Sequence, residues 1–454
     1  MSAPQPDPTQ MMASRRFLVL LVLAAVVGVV AALAAWCFLE LTHQIQVGVF
    51  DKLPEQLGYD TAPVWWPLPV AAIAGLIIAF AITRLPGRGG HVPAHGLSTG
   101  ATMPADVPGV VLAGLATIGL GLVLGPEAPL IAIGGGLGLL AVRLVRKDAP
   151  AQLGTLVAAC GTFSALSLVF ASPLIAAVIL IEATGLGGAQ QRLLLVPGLL
   201  AAGIGSLVSI GMGAFTGLSN SDYALGALPL PTFDRPDAVD FLWTLPLGVA
   251  VALGAFAIFR LATATEPVVT LRPFVALPAA GLLVAGLAIA FSELTDKGAD
   301  EVLFSGQEDL PGLIAGAGAW SLGALAAVVA FKGLAWAISL ASFRGGPTFP
   351  AMFLGAAGGL MASHLPGYAI TPAVAVGIGA AVAAVLRLPL SAVVLALLLT
   401  AKSGAGSAPL VIVGVVAAYL TTLALSAKTT AASADDTPPK GPVATPDQKR
   451  STPA

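Results

Sequence analysis

Apolar stretches fill this chain from residue 17 to about 425, and several are too short to cross a bilayer. They lie at about 17–41, 64–85, 110–124, 128–142, 153–170, 173–181, 193–212, 241–262, 274–291, 322–341, 349–365, 372–386, 389–401 and 409–425. A hydrocarbon core of ~30 Å takes about 20 helical residues to span. Short apolar helices that stop at glycine and proline are the mark of helices ending at mid-membrane. With 57% hydrophobic and 10% charged residues, no water-soluble fold of this length could hide so much apolar side chain. The 53 glycines and 35 prolines point to interrupted helices, because such breaks are tolerated where protein or a cavity covers them. The expected fold is an all-α polytopic membrane protein built from tilted and broken helices.

Other classes are disfavoured. A net charge of -2 supplies no basic field for nucleic acid. Cys37 and Cys160 both sit inside apolar runs and suit neither a disulfide framework nor a thiolate metal cluster. No cofactor or metal is expected. An intramembrane hydrolase would need a nucleophile–base pair or paired acids at depth, and no such pairing is visible.

Residues 1–16 read as a disordered lead, 17–427 as one membrane unit in two halves (about 17–215 and 240–427), and 428–454 as a disordered polar tail. No appended soluble domain is expected. Arg15 and Arg16 precede the first apolar run and place that end in the cytoplasm, so both termini are expected there. A cleaved signal ending near Ala32-Leu33-Ala34 is the alternative, but the run exceeds the roughly 7–15 residues of a signal core.

Two passages recur in order. Gly125-Pro126-Glu127-Ala128-Pro129 is followed by Gly134 and Gly138, and Gly346-Pro347-Thr348-Phe349-Pro350 by Gly355 and Gly359. Downstream, PLIAAVILIEAT at 173–184 is echoed by PLSAVVLALLLT at 389–400. Two ordered pairs at similar separations indicate a structural repeat. Each Gly-Pro frame reads as a helix start, with proline at the first helical position, where its missing N–H costs nothing. The free N–H groups of a first turn point outward with the positive end of the helix dipole. If the halves are inverted, the two starts converge near the midplane and form an anion site made of backbone. One helix terminus returns only ~0.3–2 kcal/mol against a Born penalty of tens of kcal/mol, so several donors must share the ion. Partial charges also bind weakly enough to release it.

These residues resemble the CLC family of chloride channels and proton-coupled chloride transporters, over about 64–425. The 125–129 frame looks like the family's G-[KR]-E-G-P motif, and 346–350 is similar to its G-x-F-x-P motif. Gly89-Gly90-His91-Val92-Pro93 sits where the family has G-S-G-I-P. The resemblance implies a homodimer in a bacterial plasma membrane, one pore per subunit, with chloride or a similar small anion as the permeant. It also implies a gating glutamate at Glu127 and anion contacts at Gly90, Gly125, Ala128, Gly346, Thr348 and Phe349. Departures are equally plain. Gly90 replaces the ion-coordinating serine, Thr348 stands at the family's phenylalanine with Phe349 one step later, and Tyr419 lies too early to match the family's late tyrosine. In coupled members a second acid near the cytoplasmic face takes protons; here Glu182 fills the place before it and Ala183 the place itself. That favours an uncoupled channel, with proton-coupled exchange as the alternative and transport of another small anion as a more distant one.

Glu127 has an ordinary reading as a helix-dipole acid, but an ionisable group at membrane depth is functional by default. Glu182 reads either as an interfacial carboxylate or as part of a proton pathway. His91 and His95 have i, i+4 spacing, yet Pro93 between them breaks the helix a zinc pair would need. Lys332 either snorkels or adds positive potential to the pathway. Gly134-Gly135-Gly136 lacks the context of a nucleotide loop and reads as packing glycines.

Overall fold

The computed structural model describes residues 12, 14–96, 100, 102–185, 188–216 and 225–435; most of the expected N-terminal lead and polar tail lies outside them. Helix α1 spans Arg15–Val47, starts at an Ser14 cap, and runs on through a π turn at Gly48–Lys52. The first half continues with α2 (Pro67–Arg84), α3 (Val107–Gly119), α4 (Glu127–Val145), α5 (Ala151–Val169), α6 (Pro173–Thr184) and α7 (Gly188–Thr216). The second half holds α8 (Ala238–Leu271), α9 (Pro273–Thr295), α10 (Asp309–Ala315) and α11 (Leu322–Ser342). It closes with α12 (Thr348–Ala362), α13 (Ile370–Leu386), α14 (Pro389–Leu399) and α15 (Ala408–Asp435). Among the described residues, 9 helices are long and apolar enough to cross a membrane, while α3, α6, α12, α13 and α14 are shorter.

The repeat explains its own glycines. A side chain at Gly134 would strike the backbone of Gly161, and one at Gly138 the backbone of Val157, so α4 and α5 touch along their main chains. In the second half Gly355 meets Gly377 and Gly359 meets Ala373, which brings α12 and α13 together in the same way. The G-x3-G spacing places both small residues on one helix face, one turn apart. The nucleotide-loop look of 134–136 is therefore helix packing.

Helix starts differ slightly from the sequence reading. Pro126 and Pro347 are the caps of α4 and α12 rather than their first helical residues, with ψ -7 and -6. Proline serves there for the same reason: the position asks for no N–H donor. α10 was not foreseen, since its seven residues, DLPGLIA, carry no long apolar run. Lys332 does not snorkel. It is fully buried, and its ammonium donates to the Glu301 and Leu303 carbonyls at 2.8 Å each, 4.4 Å from the Phe353 ring. It ties the 299–304 loop to α11.

Candidate functional site

The two Gly-Pro frames meet. Gly125 N–H donates to the Gly346 carbonyl at 2.8 Å, and Gly346 N–H donates to the Gly125 carbonyl at 2.7 Å, an isolated antiparallel bridge between the halves. The lead-in chains are held crosswise by hydroxyls. Val123 N–H donates to Ser339 Oγ of α11 at 3.3 Å, and Arg344 N–H donates to Thr117 Oγ1 of α3 at 3.3 Å. Each hydroxyl belongs to the opposite half from the amide it accepts. This crossing fixes where α4 and α12 begin.

Glu127 is 1% exposed and opens α4. One carboxylate oxygen accepts the backbone N–H of Thr348, the first residue of the opposite helix α12, at 2.5 Å. The amides of Glu127 and Phe349 also face it. Its other oxygen, and the nearby Thr348 hydroxyl oxygen, are buried without a hydrogen-bond partner. Neither Gly125 nor Gly346 has room for a side chain: an added methyl at either would collide with the carboxylate. Phe349 closes the wall, its ring stacked on Phe170 with centroids 5.7 Å apart. A carboxyl group thus sits against the positive ends of two helices in a cradle of backbone amides.

Two cavities are lined by residues next to the junction. One, of about 700 Å³, extends to Pro126 and is lined by acids including Asp51, Glu55, Asp60, Asp300 and Asp309. The other, of about 300 Å³, is lined by Gly90, Ala128, Pro129, Arg344 and Gly345. Glu127 lies in the chain between Pro126, on the wall of the first, and Ala128, on the wall of the second. On the larger side, burial followed by the neighbouring acids Asp309 and Asp300 pushes Glu301 up to about 7. Burial pushes Asp309 up to about 6.

Of the sequence-predicted residues, Glu127, Gly125, Gly346, Thr348 and Phe349 come together at the junction. Gly90 and Ala128 line the smaller cavity instead. Gly90, at φ 100, needs the freedom of glycine. Glu182 is elsewhere, at the end of α6, where its carboxylate accepts Leu390 N–H at 2.9 Å, Ser391 N–H at 2.7 Å and Ser391 Oγ–H at 2.6 Å. It caps the start of α14, the repeat partner of its own helix. His91 and His95 stand 6.2 Å apart ring to ring, and His95 pairs with Glu266 at 3.0 Å. The described residues hold no group of three metal-type ligands. Sequence reasoning missed Thr117, Ser339 and Arg344. The only signal for Arg344 was a lone cation directly before the Gly-Gly-Pro frame.

Comparison with known proteins agrees with this architecture. The family model described as voltage gated chloride channel matches residues 94–422. YfeO of Salmonella schwarzengrund (strain CVM19633), whose name refers to ion transport, is 29% identical over 354 residues, covering 77% of this chain and 81% of that protein. YfeO of Escherichia fergusonii is 26% identical over 362 residues, with 78% and 81% covered. Among solved structures, a slow cyanobacterial Cl-/H+ antiporter superposes with a TM-score of 0.72 at 18% identity, over 92% of this chain and 97% of that one. A CLC-type fluoride/proton antiporter gives 0.67 at 16% identity, over 89% and 95%. These structural likenesses speak for the fold. With the family model matching well over half of its length, this multi-pass integral membrane chain belongs to the voltage gated chloride channel family, the CLC family.

Proposed function

We propose that this protein passes chloride or a similar small inorganic anion across the membrane, gated by the Glu127 carboxylate. The observation that carries the reading is the place of that carboxylate. It lies on the amide-rich start of α12, with its chain neighbours Pro126 and Ala128 each on the wall of a cavity, and an anion there would find the same donors. A carboxylate oxygen and a halide compete for one set of N–H groups, so the side chain blocks the site while it stays. Protonation or displacement frees it. The donors are backbone dipoles rather than a fixed cation, which suits binding weak enough for release. The arrangement also suits an inorganic ion better than an organic substrate, which would need a roomier pocket with side-chain donors.

We read the transport as uncoupled, because Ala183 leaves no second acid beside Glu182. Proton-coupled exchange is the second reading, favoured by two solved neighbours, each described as an antiporter. On that reading Glu182 is the remaining carboxylate for a proton path. A homodimer with cytoplasmic termini in a bacterial plasma membrane is part of the proposal. Protein reconstituted in liposomes, with isotopic chloride uptake and a proton electrode read together, tests it. Chloride flux without proton movement is expected. Uphill proton movement driven by a chloride gradient would replace the channel with the exchanger, and absence of chloride, nitrate and fluoride flux would remove both.

A further inference from the structure

The smaller cavity contains a buried cation that the gating scheme does not use. Arg344 is 9% exposed and lines the cavity together with Gly89, Gly90, Ala128, Pro129 and Gly345. One guanidinium NH₂ group donates to the Phe343 carbonyl at 3.0 Å, while the buried Nε has no hydrogen-bond partner. The Gly87–Gly90 loop gives it space. Gly87, Gly89 and Gly90 all have positive φ, and a side chain at Gly89 would reach the Arg344 stem. Buried guanidinium groups are paired in folded proteins, because an orphan buried donor loses its hydration without return.

The neighbouring charges do not supply that pair. Glu266 of α8 acts on Arg344 through its charge, but its carboxylate is bound to His95 Nε2 at 3.0 Å and no ion pair joins it to Arg344. Half-buried Asp106 lines the cavity beside Gly87. His91 lines it too, and burial, with His95 next, holds that imidazole below its ordinary value, so it is neutral at pH 7. Among the described residues, Arg344 is therefore the fixed positive charge lining this cavity. It also sits two residues before Gly346, whose Cα packs on the Glu127 carboxylate.

We infer that Arg344 forms a second binding site for a small monovalent anion, one step from the junction, where the guanidinium pairs with the ion before it enters or after it leaves the Glu127 position. The inference rests on the anion reading above and adds a side-chain ligand to a site otherwise made of backbone. A charge-assisted donor at each of these two neighbouring positions would let one ion displace the next.

The test reads binding apart from transport. Sodium chloride is titrated calorimetrically into the detergent-purified full chain, as wild type, R344Q and R344K. R344Q should weaken chloride binding by about ten- to a hundredfold, and R344K, which keeps charge but loses the planar fork, by less. Unchanged affinity in an R344Q protein with wild-type melting behaviour would overturn the site. Bromide-soaked crystals of the wild type need no variant. An anomalous peak within hydrogen-bonding reach of the guanidinium supports the site, and peaks confined to other positions overturn it. The two proposals fail separately. Bromide at Arg344 without chloride flux in liposomes removes the transport reading alone, whereas flux with neither an affinity loss nor a peak at Arg344 removes this site alone.

Discussion

Glu182 and Glu127 each reach from a helix of the first half to the start of a helix in the second, and each is bound there by backbone amides. At α14, Glu182 is half-buried and takes three hydrogen bonds, two from amides and one from the Ser391 hydroxyl. At α12, Glu127 is almost fully enclosed, and one of its oxygens finds no donor. A satisfied carboxylate at a helix start is a cap, stabilising by about 0.5–2 kcal/mol. A buried carboxylate with an unpaired oxygen carries an unreturned desolvation cost of about 1–3 kcal/mol. The first holds two helices together. The second is poised to be exchanged for another ion or to accept a proton. On the proposed reading, one contact pattern, met at both helix starts, serves structure at one place and gating at the other.

Substitutions at three places test that contrast. The largest stability effect belongs to the cradle of Glu127. Gly346→Ala puts a methyl on the carboxylate and should cost about 1–3 kcal/mol. The same change in a Glu127→Ala background should cost clearly less, because the colliding group is gone. A double-mutant cycle read by thermal unfolding measures the coupling, and strict additivity would mean that the carboxylate does not sit where the structure puts it. Glu182→Ala comes next. It orphans two amides at the start of α14 and should lower stability by about 0.5–2 kcal/mol while leaving chloride flux and its pH dependence alone. A lost pH dependence there would move Glu182 from cap to proton path. The smallest effect belongs to the acidic cavity. Burial pushes Asp309, on the cavity wall, up to about 6 and the neighbouring Glu301 up to about 7, so the region around this mouth sheds negative charge as pH falls through that window. Anion entry from that side should therefore quicken toward pH 6, by less than about tenfold. Stability moves with the same sign. The folded form holds protons more tightly than the unfolded chain, so stability declines as pH rises from the ordinary carboxylate range through about 7. Glu301→Gln should flatten both trends, and a Glu127→Gln background isolates them from the gate.

Much of this was legible in the sequence because the repeat is local and chemical. The two Gly-Pro frames announce helix starts, and the following G-x3-G steps announce close backbone packing, which the structure places at Gly134–Gly161 and Gly355–Gly377. The contact between Glu127 and Thr348 follows from inversion of two such frames. What stayed hidden depends on contacts distant in the chain. Thr117 lies 227 residues from the amide it accepts, and Ser339 lies 216 residues from its own. Nothing in the local pattern marks either hydroxyl. From sequence Glu182 reads as an interfacial acid or as part of a proton path, and its capping contact is invisible because its partners, Leu390 and Ser391, belong to the other half. Lys332 misled for the same reason: its acceptors are carbonyls of a loop some thirty residues earlier, invisible to a scan for charge partners. Helix α10 escaped because its seven residues are too few to show a period.

On the proposed reading, the Glu127 carboxylate holds the place of the permeating ion. Chloride flux in liposomes, compared between wild type and Glu127→Gln from acid to neutral pH, reads it most directly. The wild type should conduct faster as pH falls, and Glu127→Gln should start about tenfold faster at neutral pH and stay nearly level. A Glu127→Gln protein that keeps the wild-type rate and the wild-type slope would contradict it.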